Sequence, residues 1–131
     1  NLDIKKEVIR KYTQLRLSSH KLQIETARHI KPSNDRNNQK ILARKCKLCN
    51  INKDEDETHF VLECPAYHNE RKQYLNEIHK ICNNTKVLTQ EDLFIWLLSN
   101  EDPIVNRLCI KFVSNCFANR DLLLKQRQPT N

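Results

Sequence analysis

Cys46-Lys47-Leu48-Cys49, nine residues, His59, four residues, Cys64: this stretch, C-x2-C-x9-H-x4-C, decides how the chain is read. Two thiolates separated by two residues can grip one ion from a single tight turn. An imidazole and a third thiolate, carried on the next short element and the start of a helix, can close a tetrahedron. Three sulfurs and one nitrogen make a structural zinc set, because a closed four-ligand shell leaves no open position for chemistry. Soft thiolates select zinc over magnesium or calcium. The competing reading is three reduced thiols serving as small buried hydrophobes. The surroundings, Lys45, Lys47, Asn50 and Lys53, argue against a core context. His68 is close enough to Cys64 to be a rival to His59 as fourth ligand.

Composition narrows the rest. The chain has 131 residues and no glycine. A P-loop, a Rossmann fingerprint and a nucleophile elbow all require glycine, so those chemistries are excluded. Asn is expected at the left-handed backbone positions glycine would normally take. Six cysteines could form three disulfides in a secreted protein. No secretory signal is visible, so metal-bound and reduced thiols in the nucleus or cytoplasm are expected instead. No apolar run approaches the ~20 residues of a membrane span. Neither a membrane nor a small-molecule substrate is expected as a partner.

Charge is uneven. Residues 1–50 hold thirteen Lys/Arg against four Asp/Glu, a net +9, whereas residues 51–131 hold ten against twelve, a net −2. Clustered cations bind phosphates through counterion release, so the basic half points to nucleic acid, RNA or DNA. The cations in question are Arg16, Lys21, Arg28, Lys31, Arg36, Lys40, Arg44, Lys45 and Lys47. The plainer reading is a solvated basic surface. Tyr12 is the only aromatic in this half, so base stacking has little to work with.

Periodicity places the elements. Ile4, Val8, Tyr12 and Leu15 fall on one helical face over residues 3 to about 18. Leu22 and Ile24 alternate, which fits a short extended piece or a helical turn. Residues 31–40 read as a loop or arm. Asp54–Glu57, four acids in a row, reads as the solvated tip of a hairpin, and Thr58–Glu63 as a short strand. Pro65 starts a helix whose face is Tyr67, Arg71, Tyr74 or Leu75, and Ile78. Thr89-Gln90-Glu91-Asp92 resembles a capping box ahead of a second helix. Asp102-Pro103 opens the last helix, whose stripe includes Cys109 and Cys116 as core thiols. The expected fold is mainly α: about four helices around a small zinc-clasped β-turn or hairpin. Three parts of one domain are expected: a basic helix and arm over 1–45, a zinc knuckle over 46–64 and a helical region over 65–131.

Cys46-Lys-Leu-Cys49, Glu57-Thr58-His59-Phe60-Val61-Leu62-Glu63-Cys64-Pro65, Tyr67 and Arg71 resemble the zinc-binding segment that comes after the reverse transcriptase domain in non-LTR retrotransposons. Leu15 to Arg28 is similar to the stretch on the N-terminal side of that knuckle. The helix from Ile104 to about Arg120 is similar to the terminal helix on its C-terminal side. The chain departs from the family pattern at Ala27, where relatives carry glycine, and in a longer basic spacer before Cys46. The resemblance implies one structural zinc and a module that holds template RNA or target DNA beside the rest of a reverse transcriptase polyprotein. No Tyr-x-Asp-Asp polymerase motif occurs, so no enzymatic activity is expected of this chain itself. The alternative is a structural helical domain that docks on a polymerase core without touching nucleic acid. An exposed apolar stripe on the last helix would favour it.

Overall fold

The computed structural model describes residues 6–16, 21–30 and 39–127. In chain order its elements are α1 (Lys6–Arg16), α2 (Gln23–Ala27), α3 (Gln39–Ala43), a π-helical turn (His59–Glu63), a 3-10 turn (Pro65–Tyr67), α4 (His68–Ile81), a second 3-10 turn (Asn83–Val87), α5 (Gln90–Ser99) and α6 (Pro103–Gln126). The fold is mainly α, as the periodicity predicts. Four longer helices are joined by shorter pieces that the sequence pattern does not separate. No strand forms among the described residues. One isolated antiparallel bridge, Lys45 to Asp54, stands where the hairpin is expected.

α6 is the axis. Asp102 caps it by accepting from the Ile104 amide at 2.8 Å, and Pro103 sits where its missing N–H costs nothing. Val105, Cys109, Phe112, Val113, Cys116, Phe117 and Arg120 then succeed one another at helical spacing, all buried. α1, α4 and α5 pack against this stripe. Tyr74 of α4 stacks on Phe112, with ring centroids 4.5 Å apart. Phe60 lies between Phe117 at 4.6 Å and Tyr67 at 5.1 Å. Tyr12 and Leu15 bring α1 into the same cluster, as the helical face of residues 3–18 predicts. Truncating one such core aromatic to Ala costs about 3–5 kcal/mol. Cys109 and Cys116 are free and buried, as expected, and Tyr74 Oη lies 2.6 Å from Cys109 Sγ.

Local signals set the other boundaries. The Thr89 hydroxyl accepts from the Asp92 amide at 3.2 Å and starts α5. Asn100 ends α5, and its side chain accepts from the Asp102 amide at 2.8 Å. With no glycine available, Asn52 takes the left-handed position in the metal loop, at φ 62°.

One expectation about local structure is corrected. The short strand at Thr58–Glu63 is a helical turn that widens to π geometry, with the Cys64 amide reaching the His59 carbonyl at 2.7 Å. Phe60, Val61 and Leu62 are a short continuous apolar run, and periodicity alone does not separate a strand from a buried helical turn there. Here the Asp56 carboxylate bonds the His59 amide at 2.8 Å and holds the turn helical. Of the two readings open for Leu22 and Ile24, the structure takes the helical turn: residues 23–27 are helical. The 31–40 arm lies largely outside the described residues, and its last two positions open α3.

Burial raises the phenols of Tyr12, Tyr67 and Tyr74 well above their ordinary value. A phenol raised in the folded state favours folding fully below its unfolded pKa and loses that contribution as pH climbs past it. The contribution of these phenols to folding should therefore be constant up to about 10, the unfolded value. Above that helicity should collapse together with the appearance of tyrosinate absorbance. Tyrosinate signal rising while the helical signal stays full would contradict the burial of these three rings.

Candidate metal centre

The four sequence-predicted ligands converge. One donor atom each from Cys46, Cys49, His59 and Cys64 lies within 4.8 Å of all the others. Cys46 Sγ is 3.9 Å from Cys64 Sγ, and Cys49 Sγ is 3.4 Å from His59 Nε2. Bonds of about 2.3 Å to sulfur and 2.0 Å to nitrogen give a tetrahedron with edges of roughly 3.5–3.8 Å. The set can hold a metal ion with little movement. All six cysteines are free.

Each ligand is fixed by a different part of the fold. The Cys46 amide donates to the Lys53 carbonyl at 2.9 Å and closes the loop. Leu48 is buried and anchors it from below. Arg127, capping α6, donates to the carbonyls of Lys47 at 2.9 Å and Leu48 at 3.3 Å. The π-helical turn carries His59, and Cys64 stands at its end. Arg71 of α4 is buried and holds that turn, donating to Val61 O at 2.8 Å and Phe60 O at 3.2 Å. Cys64 is fully buried, while Cys46 and Cys49 are half-buried.

The electrostatics suit thiolates. Each sulfur takes a backbone hydrogen bond from the residue two positions on: Cys46 from Leu48, Cys49 from Ile51 and Cys64 from Ala66. Such bonds favour the charged form. Without an ion the sulfurs share protons unequally. The hydrogen bond with Cys64, then burial, pushes the Cys46 thiol up to about 12. The same hydrogen bond, seen from its accepting end, holds Cys64 below its ordinary value. Burial raises Cys49. For His59, burial works to lower the pKa, but the hydrogen bond to Cys46 and the charges of Cys46 and Glu63 outweigh it, leaving it raised. His59 Nδ1 faces Glu63 Oε1 at 3.4 Å, and Lys53 Nζ holds the other Glu63 oxygen at 3.1 Å. That arrangement leaves Nε2 for the ion and orients the ring from behind.

His68 is exposed on the first turn of α4 and does not join the cluster. His79 Nδ1 lies 2.6 Å from the Thr85 hydroxyl at the far end of that helix.

The cations are scattered around this centre. Arg16 is exposed at the end of α1, 5.7 Å from the Tyr12 ring, and Lys21 and Lys47 are exposed. Arg28 pairs with Glu25 at 3.4 Å. Arg44 and Lys45 share one carboxylate, Asp54, at 3.0 and 2.9 Å. Lys40 is half-buried. Lys31 and Arg36 lie outside the described residues.

Glu55 escapes the sequence pattern. Expected in a solvated acidic tip, it is 2% exposed and receives two hydrogen bonds from Arg120, at 2.8 and 2.9 Å. A signal is present: Arg120 continues the α6 stripe four residues after Cys116, where an apolar residue is due. A buried Arg needs its donors answered, and a carboxylate is one partner that does so. The four acids at 54–57 are the densest acidic run in the chain.

Comparison with protein-family models, with characterised proteins and with solved structures finds no match. No helix among the described residues is long and apolar enough to cross a membrane.

Proposed function

We propose that this chain is a zinc-binding helical module that contacts the phosphates of nucleic acid and carries no catalytic activity of its own. The observation that carries this reading is the convergence of three sulfurs and one nitrogen at tetrahedral spacing. Each sulfur is already supplied with a backbone donor. Zinc fits that donor set best, and its role is structural because four protein ligands fill its shell. The cations Arg44, Lys45 and Lys47 flank Cys46 and are held to the loop the ion would close. Such a module would work in a reducing compartment, nucleus or cytoplasm, where thiolates persist. Its resemblance to the segment after a retrotransposon reverse transcriptase makes template RNA or target DNA the expected partner.

The docking-domain alternative loses its main sequence argument. The apolar stripe of α6 that would have served as a docking face is turned inward, from Val105 to Phe117.

A salt series tests the proposal. Zinc-loaded protein should bind nucleic acid with affinity falling at a log–log slope of about −0.9 per duplex phosphate contact, or −0.7 for single strands. Replacing Arg44, Lys45 and Lys47 together by Ala should flatten the slope and weaken all sequences alike, with zinc retained. An unchanged slope and affinity in that triple variant would reduce the basic face to a solvated surface.

A further inference from the structure

α2 and α3 pack side by side, and helical spacing aligns their inner faces. On α2, Ile24 and Ala27 stand three residues apart, with Arg28 one turn after Ile24. On the facing segment, Lys40 and Arg44 stand four apart, joined by a hydrogen bond from the Arg44 amide to the Lys40 carbonyl at 3.2 Å. These five residues line a cavity of about 260 Å³. Its floor is apolar and its rim carries three cations.

Two of the three rim cations, Arg28 and Arg44, are ion-paired. Glu25 answers Arg28, but Asp54 is shared between Arg44 and Lys45, two cations on one carboxylate. The Arg44 Nε lies 3.0 Å from Asp54 Oδ2, on a side chain that is 40% exposed.

We propose that this cavity binds one nucleotide unit of a single-stranded nucleic acid: its phosphate between Arg28, Lys40 and Arg44, its sugar or base against Ile24 and Ala27. The assignment rests on the nucleic-acid reading above and narrows it. The volume is near the lower end for ligand pockets, roughly 300 Å³, which suits one unit rather than a helix. A duplex keeps its bases stacked and is read by elements that protrude into its grooves. A concave site with an apolar floor serves an unstacked nucleotide instead. No aromatic lines the floor, so the site grips by phosphate charge and aliphatic contact and tolerates any base.

The test compares a fluorescent single-stranded oligonucleotide of mixed sequence with its own duplex, on the zinc-loaded full chain. The single strand should bind about tenfold or more tighter. The double variant Arg28→Ala, Lys40→Ala alters only partly or fully exposed side chains. It should weaken single-strand binding by at least tenfold, lower its salt slope by about 1.4, two contacts at 0.7 each, and weaken duplex binding distinctly less. Ile24→Ala should weaken single-strand binding with the slope unchanged, since aliphatic contact releases no counterions. Zinc content and helicity of each variant check its folding. Equal losses on both forms, or none on the single strand, would overturn this cavity while leaving the broader proposal standing. Absence of binding to either form by the parent would overturn both.

Discussion

Replacing Cys64 by Ser is expected to abolish stoichiometric zinc and to unfold the segment from Arg44 to Arg71. Structural zinc in small fingers contributes an apparent binding free energy of about 10–16 kcal/mol, and ligand removal forfeits much of it. Cys64 is the most buried of the three sulfurs, at 0% exposure, and sits where the π-helical turn hands over to the 3-10 turn. Losing it uncouples the two ligand pairs at their shared point. Cys46→Ser should act similarly, though from a half-buried position. His59→Ala should lower zinc content, whereas His68→Ala should leave it intact, because His68 is exposed and outside the cluster. Glu63→Gln should weaken the site more mildly, by about 10–100-fold in affinity, through the orientation of the His59 ring. Elemental analysis of protein made reduced and zinc-supplied gives the readout. No zinc in the parent, or one zinc per chain in Cys64→Ser, would sink the ligand assignment.

The candidate metal site is legible in the sequence because its signal is short-range. C-x2-C and H-x4-C fix which atoms can meet, and the remaining freedom is one loop closure. The helices are legible for a related reason: caps at Thr89 and Asp102 and the stripe of α6 are local statements about backbone and burial. The conformation between the ligand pairs is not. Phe60, Val61 and Leu62 are apolar without a break, and such a run fits a buried strand or a buried helical turn equally. The deciding contacts are distant in sequence: Arg71 ties the Phe60 and Val61 carbonyls, and Phe117 packs on Phe60. Glu55 is misplaced by local reasoning for the same cause. Its burial depends on a guanidinium 65 residues further on. The cationic cavity is half legible: charge marks its residues, but their meeting depends on α2 and α3 lying side by side.

Arg120→Ala is expected to be among the most destabilising single changes outside the metal ligands. Arg120 is 4% exposed and Glu55 2%, and the guanidinium grips both carboxylate oxygens. It also donates to the Lys21 carbonyl at 3.2 Å, while Glu55 Oε1 accepts from the Gln23 amide at 2.8 Å. One pair thus joins α6, the start of α2 and the loop leading to His59. Removing one partner leaves a buried charge uncompensated, which costs about 3–5 kcal/mol. Replacing both, as Glu55→Leu with Arg120→Met, should recover much of the loss, because the desolvation of two ions disappears with them. Recovery should be incomplete, since the Lys21 carbonyl and Gln23 amide each lose a partner. Glu55 lies four residues before His59, so Arg120→Ala should also speed transfer of zinc to a chelator although no ligand has changed. Denaturant unfolding of the zinc-loaded protein measures the first effect and chelator kinetics the second. An Arg120→Ala variant within about 1 kcal/mol of the parent, no better than a surface change, would mean that this pair does not hold the α6–α2–loop junction together.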